Sequence, residues 1–153
     1  LAIYTQLPVT IALARRILQH TAMHMRGRVS RGSMQLDQSQ VVQLRIGEAA
    51  ADLEAAIVVA HQRHKRASDK VFGGGRLTEF EVLACKRDSI WANRTARRAI
   101  ESLISVTSAE IVHDRNELQQ WYRDSLTTGS HFGANWEIGM VPYGRSLLGF
   151  NHS

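Results

Sequence analysis

The sequence predicts an all-α fold, an antiparallel bundle of four long helices. Apolar residues recur at spacings of three and four through most of the chain, which is typical of amphipathic helices. No long stretch alternates between apolar and polar residues, as a half-buried strand would. The chain has 153 residues, of which 44% are hydrophobic and 22% charged, enough to bury the core of one domain. We therefore expect a single helical-bundle domain over residues 1–153.

Apolar stripes predict the first two helices. The first covers about residues 8–27, where Pro8 suits a first turn because its missing N–H has no helical partner there. Gly27 is a suitable stop. The second covers about residues 39–71, after a polar loop at 28–38. The inward-facing residues are Ile11, Ala14, Leu18 and Met25 in the first helix, and Val42, Ile46, Ala49, Leu53, Ala56, Ile57 and Ala60 in the second.

A run of three glycines at 73–75 predicts the turn into the third helix. Thr78 and Glu81 form a capping box, in which each side chain satisfies a free N–H, so this helix begins there and continues to about residue 106. The fourth helix begins after a cap at Asp114 or Asn116, and we expect it to be bent or broken into two. The third helix has an inner face of Val82, Cys85, Ser89, Ala92, Ala96, Ala99 and Leu103, and the fourth is interrupted by Gly129, Gly133, Gly139 and Pro142.

The positive charge is concentrated at the beginning of the chain. The formal charge is +5, and the excess comes from five arginines before Asp37, where no acid occurs. Such a distribution fits a local anion site better than a nucleic-acid surface. No apolar run reaches the ~18 residues of a membrane span, and the single cysteine, Cys85, favours a reducing cytoplasm. We therefore expect a cytoplasmic protein that binds neither nucleic acid nor membranes.

A helical bundle with Glu and His must be tested for a di-iron site, which needs two Glu-x-x-His pairs and two further Glu ligands. Glu110 and His113 form one such pair, and the first helix carries no acid. The histidines paired at helical spacing lack a Cys or carboxylate partner at ligand spacing, so we interpret them as surface or packing residues. They are His20 with His24 and His61 with His64. The sequence therefore predicts no metal.

Several short motifs follow one another near the end of the chain. They are Arg123-Asp124, then His131, Asn135-Trp136 and the run Tyr143-Gly144-Arg145-Ser146-Leu147-Leu148-Gly149. Together with an alanine-rich run at 47–56, they resemble the C-terminal helical domain of the acyl-CoA dehydrogenase superfamily. The closer resemblance is to its branch of two-component flavin-dependent monooxygenases. This implies a fragment of a three-domain flavoenzyme, inactive alone, whose missing N-terminal helical and central β domains belong to the same chain. It also implies a homo-oligomer, a tetramer built around these bundles.

The resemblance implies an oxidoreductase that uses reduced flavin and O2 to hydroxylate a small aromatic substrate. The flavin, FMN or FAD, is held without a covalent bond and supplied by a separate reductase. His131 is the implied catalytic residue, because an imidazole titrates near neutrality and can transfer a proton. Arg26 is the candidate for the flavin phosphate, since a guanidinium forks onto phosphate oxygens and no acid precedes Asp37. Asn135 is the candidate for a hydrogen bond to flavin or substrate, although Asn beside such turns is often a cap.

Two alternatives stay open. The first is a dehydrogenase-like enzyme of the same fold, which needs a carboxylate base to remove a proton from an acyl thioester. The resemblance places that base either on the first helix or at residues 130–133, and neither segment contains an acid. The second is a non-catalytic helical module that works by association. The apolar residues of the third and fourth helices exceed what one small bundle covers, so we expect self-association in either case.

Overall fold

The computed structural model describes residues 6–30, 32–107, 117–130 and 135–150. These ranges contain five α-helices and a short 3-10 helix, and no β-strand; an isolated bridge joins Val29 and Gln35. The all-α prediction is therefore confirmed. The helices are α1 (Gln6–Met25), α2 (Gln40–Phe72), α3 (Glu79–Val106), α4 (Glu117–Ser130) and α5 (Trp136–Leu147), with the 3-10 helix Leu36–Gln38 before α2.

The predicted fourth helix is two helices, α4 and α5, as its glycines indicated. The division lies before Trp136, so Pro142 does not cause it and is instead inside α5. The capping box predicted at the start of α3 is present, with Thr78 accepting from the Glu81 N–H. The predicted stop after α1 is also confirmed, because Gly27 has a φ of 64°, in the left-handed region that favours glycine. The predicted caps Asp114 and Asn116 lie outside the described residues.

Side-chain pairs show the directions of the helices. Lys70 of α2 pairs with Glu81 of α3, and Arg63 of α2 pairs with Asp88 of α3. The two helices are therefore antiparallel. α3 contacts each of the other four α-helices and is the central helix of the bundle. Antiparallel packing is also shown by Thr10–Thr128 and Arg16–Trp121 between α1 and α4, and by Arg94–Trp136 and Arg87–Tyr143 between α3 and α5.

The core lies where α1, α2 and α3 meet, and α4 covers it. Alanines occupy many of its positions, which lets the helix backbones approach closely. The prediction that Val82 of α3 faces inward is wrong, because its side chain is 45% exposed. Leu7, in the first turn of α1, belongs to a buried cluster with Ala92, so the described part of α1 begins well beyond the turn of α3 that carries Val82. The main buried cluster is Ala14, Ile17, Ala49, Leu53, Ala96, Ala99, Ile100, Leu103 and Leu118.

Three buried polar side chains join α1, α3 and α4. Asn93 donates from Nδ2 to Thr10 Oγ1 at 3.1 Å, and the Thr10 hydroxyl donates to Thr128 Oγ1 at 2.9 Å. The Thr128 hydroxyl donates in turn to the carbonyl of Ser125 at 2.8 Å. Because each hydroxyl has a partner, these groups are buried without the penalty of an unmade hydrogen bond.

Glu81 links the start of α3 to the end of α2. Its carboxylate accepts from Lys70 Nζ at 2.7 Å and from the Thr78 N–H at 2.7 Å. These bonds, that of Lys70 above all, lower the pKa of Glu81 from its ordinary value of 4.5 to about 2. Because the folded-state pKa is below the unfolded value, the bonds contribute stability that is present above the unfolded pKa and lost as the pH falls to about 2.

We expect the unfolding free energy of Glu81→Gln to vary less with pH in the acidic range than that of the wild type. The variant lacks the carboxylate whose protonation weakens the wild-type fold, so the difference in unfolding free energy should shrink as the pH falls from about 5 to about 2. Urea unfolding followed by circular dichroism at several pH values measures this difference. Glu79→Gln, on the same turn but outside the capping box, is the control. A difference that stays constant over this pH range would contradict the expectation.

Candidate functional site

Asn135 is the N-cap of α5. Its Oδ1 accepts hydrogen bonds from the N–H groups of Glu137 at 2.9 Å and Ile138 at 3.4 Å. The capping role therefore uses the side-chain oxygen, while the Nδ2 amide remains a hydrogen-bond donor. The residue is exposed. Asn135 can thus donate to a carbonyl, phenolate or phosphate oxygen beside the start of α5, where the helix dipole also favours negative charge.

His131 and the three residues after it lie outside the described residues, but the segments on both sides of them are described. α4 ends at Ser130 and α5 begins at Trp136. We refer to residues 129–136 as the α4–α5 junction. Two of the three sequence-predicted site residues, His131 and Asn135, belong to this junction.

Residues on one face of α3 contact both α4 and α5 near the junction. Ile90 packs so closely against Gly139 of α5 that a Cβ there would overlap it. The guanidinium of Arg94 lies over the Trp136 ring, 4.2 Å from its centroid, a cation–π contact. The guanidinium of Arg97 lies against the backbone at Gly129. Sequence reasoning missed both arginines; the available signal was a glycine inside a helix, which often marks a close approach.

Arg26 is exposed, just beyond the last residue of α1. Its assignment to a flavin phosphate rests partly on the absence of an acid before Asp37 in the sequence, and the fold brings Asp37 itself close. The 3-10 helix Leu36–Gln38 folds the chain back, so that the Gly27 N–H donates to Asp37 Oδ2 at 2.8 Å. An acid therefore lies beside Arg26. The second oxygen of Asp37 is buried and, within the described ranges, has no hydrogen-bond partner.

Arg26 and the junction lie at opposite ends of the bundle. Thr10, in the second turn of α1, bonds to Thr128 just before the junction. Arg26 comes 16 residues later, which is roughly 24 Å along a helix that rises 1.5 Å per residue. A single copy of this chain therefore does not bring Arg26 and Asn135 into one small site. It offers one group at each end of the bundle.

A cluster of charged residues in the first half of α3 joins this helix to α2 and α5. Asp88 is buried and held by Arg63 at 2.6 Å and by Arg87, whose guanidinium also stacks on Tyr143. Beside it, His64 bonds to the Ser89 hydroxyl at 2.9 Å, and burial lowers the pKa of His64 while Asp88 opposes this effect. His64 is therefore partly buried between α2 and α3, and its interpretation as a surface or packing residue stays a prediction.

Two further findings concern the part of the chain that the structure describes. No three His, Cys, Asp or Glu side chains converge there as metal ligands would; Glu110 and His113 lie outside it. None of the described helices has the length and hydropathy that a membrane span requires.

The fold and the junction together define an all-α domain with a central α3 and an additional C-terminal helix. The acyl-CoA dehydrogenase C-terminal domain family matches residues 4–136. The chain belongs to this family.

A curated relative is the oxygenase component of an FADH2-dependent resorcinol hydroxylase from Rhizobium sp. (strain MTP-10005). It is 28% identical over 149 residues, which cover 91% of this chain but 36% of that protein. XiaF from Streptomyces sp., solved with FADH2 and glycerol, has a TM-score of 0.89 at 20% identity, covering 97% of this chain and 38% of XiaF. The HsaA monooxygenase from M. tuberculosis gives 0.81 at 16% identity, with 96% and 39% covered.

The family match and the curated relative confirm the resemblance that the sequence motifs predicted. The solved structures, at 20% and 16% identity, show the fold alone. The chain spans little more than a third of the length of each relative.

Proposed function

We propose that this chain is the C-terminal domain of a flavin-dependent monooxygenase that uses reduced flavin and O2 to hydroxylate a small aromatic substrate. The observation that carries the proposal is the match of 91% of the chain to the oxygenase component of an FADH2-dependent hydroxylase. The composition of α1 supports it, because its 20 residues include no acid that could serve as the base of a dehydrogenase.

The described groups fit a flavin held without a covalent bond. At the junction, the Asn135 amide is an exposed donor for a carbonyl of flavin or substrate. At the other end, Asp37 is engaged by the Gly27 N–H, which leaves the Arg26 guanidinium exposed for a phosphate. Since these ends are far apart, we propose that each flavin is held by the Asn135 end of one subunit and the Arg26 end of another. We propose FAD rather than FMN because the curated relative is FADH2-dependent.

When bound, reduced flavin supplies the electrons that activate O2. The roles of this chain are to hold the reactants and to move a proton. We assign the proton transfer to His131, which takes a proton from a phenolic substrate or donates one as oxygen is transferred. The Asn135 amide donates a hydrogen bond to a carbonyl oxygen of the flavin or substrate and so holds it in place. The missing domains of the same chain, a separate flavin reductase and the substrate are the partners.

The full-length chain, with chemically reduced FAD and a panel of phenols under 18O2, tests this function. We expect a hydroxylated product that contains one labelled oxygen atom. Bleaching of oxidised flavin by an acyl thioester without O2 would establish the dehydrogenase alternative instead. Failure to retain any flavin would favour the non-catalytic module.

We also propose that the intact protein is a homotetramer. An apolar surface remains uncovered where the end of α5 meets the start of α3, as the contact between Phe80 and Tyr143 shows. Phe72, at the end of α2 that Lys70 joins to the start of α3, is 90% exposed, and Leu148, just after α5, is 75% exposed. Exposed apolar patches of this kind mark interfaces. Analytical ultracentrifugation of the full-length chain should show a tetramer. Sedimentation as a monomer at high concentration would contradict this.

A further inference from the structure

Arg97 of α3 occupies space that only a glycine at position 129 leaves open. Gly129 is in the last turn of α4, one residue before its end, and a Cβ built on it would overlap the guanidinium of Arg97. Glycine is a weaker helix former than alanine because it loses more conformational freedom on folding. The close approach of Arg97 gives this glycine a structural reason. We refer to the space beside Gly129 as the Gly129 notch.

Ion pairing does not explain the position of Arg97. The side chain is partly buried, and no carboxylate pairs with it in the ranges that the structure describes. Partial burial of an unpaired guanidinium is costly. The favourable interaction that its position does offer is with the last turn of α4, where the helix dipole is negative.

The notch lies immediately before the proposed reaction site. Gly129 precedes His131 by two residues, so their Cα atoms are at most about 7.6 Å apart. On the other side of the segment, Arg94 lies over Trp136, next to Asn135. Arg94 and Arg97 are three residues apart on α3 and therefore lie on one face of that helix. Through these two arginines, one rigid helix contacts the residues on both sides of 131–134.

We propose that Arg97 is a positioning residue for the monooxygenase reaction. Its guanidinium, seated in the Gly129 notch, fixes the last turn of α4, from which the chain continues to the proposed catalytic residue. This inference rests on the proposed function of the junction. Arg97 itself acts through α4 and is not assigned contact with substrate or flavin.

Gly129→Ala separates a positioning role from a role in stability. The added methyl displaces the guanidinium, which is the flexible end of a side chain, while alanine improves the helix. The variant should therefore melt at or above the wild-type temperature. Gly47→Ala is the matched control, because it makes the same change inside α2 and its Cβ meets no atom within 4 Å. Arg97→Ala should reproduce the effect of Gly129→Ala on the reaction.

The experiment uses the full-length flavoenzyme and measures melting temperature, hydroxylation rate, product formed per flavin oxidised, and amide hydrogen exchange at residues 131–135. We expect Gly129→Ala and Arg97→Ala to lower the hydroxylation rate by roughly 10- to 100-fold, since small misplacements of reacting groups have effects of this size. Exchange at 131–135 should become faster, and Gly47→Ala should match the wild type. Normal product yield in Gly129→Ala would overturn the proposal.

The exchange measurement keeps the two proposals distinguishable. If the wild-type enzyme forms no hydroxylated product, the proposed function fails, whatever the variants do. Unchanged exchange at 131–135 in both variants would then overturn the positioning role as well. Faster exchange in both, with Gly47→Ala unchanged, would support Arg97 as the residue that positions this segment even for a different reaction.

Discussion

In the full-length flavoenzyme, His131→Asn should lower the rate of substrate hydroxylation by roughly 10²–10⁴-fold, the usual contribution of a general acid–base group. Asparagine keeps a polar side chain of similar size but cannot exchange a proton near neutral pH. Folding and flavin affinity should therefore stay close to those of the wild type. Reduced flavin should still be consumed, with hydrogen peroxide released in place of hydroxylated product. Stopped-flow absorbance and product analysis over a range of pH values measure both quantities.

A histidine that serves only packing would give a different result. The substitution would then lower the melting temperature, while the folded fraction would form product with normal yield. His61→Asn is the matched control, because His61 lies on the exposed face of α2 and has no assigned role. Normal product yield from His131→Asn would remove His131 from the catalytic residues.

The second large effect is expected at Asp88. Its side chain is 8% exposed and pairs with both Arg63 and Arg87, which are 31% and 26% exposed. Asp88→Ala leaves two guanidiniums partly buried with no carboxylate between them. Breaking a buried pair costs about 3–5 kcal/mol, and we expect about 3 kcal/mol because water still reaches both arginines. Urea unfolding followed by circular dichroism gives this free energy.

Asp69→Ala provides the comparison for Asp88→Ala. Asp69 pairs with Lys65 at 2.6 Å, a distance equal to that between Arg63 and Asp88, but both partners are more than 60% exposed. An exposed pair of this kind contributes about 0.5 kcal/mol or less. Similar losses in the two variants would show that burial does not govern the contribution of Asp88.

The features that the sequence predicted correctly depend on residues close together in the chain. The capping box of Thr78 and Glu81 needs two side chains three residues apart, and Gly27 ends α1 through its own backbone geometry. The apolar stripe of α2 follows from helical periodicity alone. The overall class of bundle, and the division of the last helix, therefore followed from local pattern.

The features that the sequence did not reveal depend on tertiary contact. Gly129 comes just before the break between α4 and α5, as the sequence predicts, but nothing local to it shows that Arg97 lies against it. Asp37 was separated from Arg26 by sequence, yet the chain folds it onto Gly27. Local periodicity cannot show which distant side chain fills a space. The role of His131 stays a prediction, because it lies outside the described residues.

The hydrogen bonds among Thr10, Asn93 and Thr128 have a consequence for the alignment of the helices. Alanine-lined faces look much the same after one helix slides along another by a turn, so burial of alanine alone selects one alignment only weakly. The bonds from Thr10 to Asn93 and Thr128 can form in one alignment, and a slide of about 5 Å would leave those polar groups buried and unpaired. This polar trio therefore selects a single alignment of α1, α3 and α4 over its shifted neighbours.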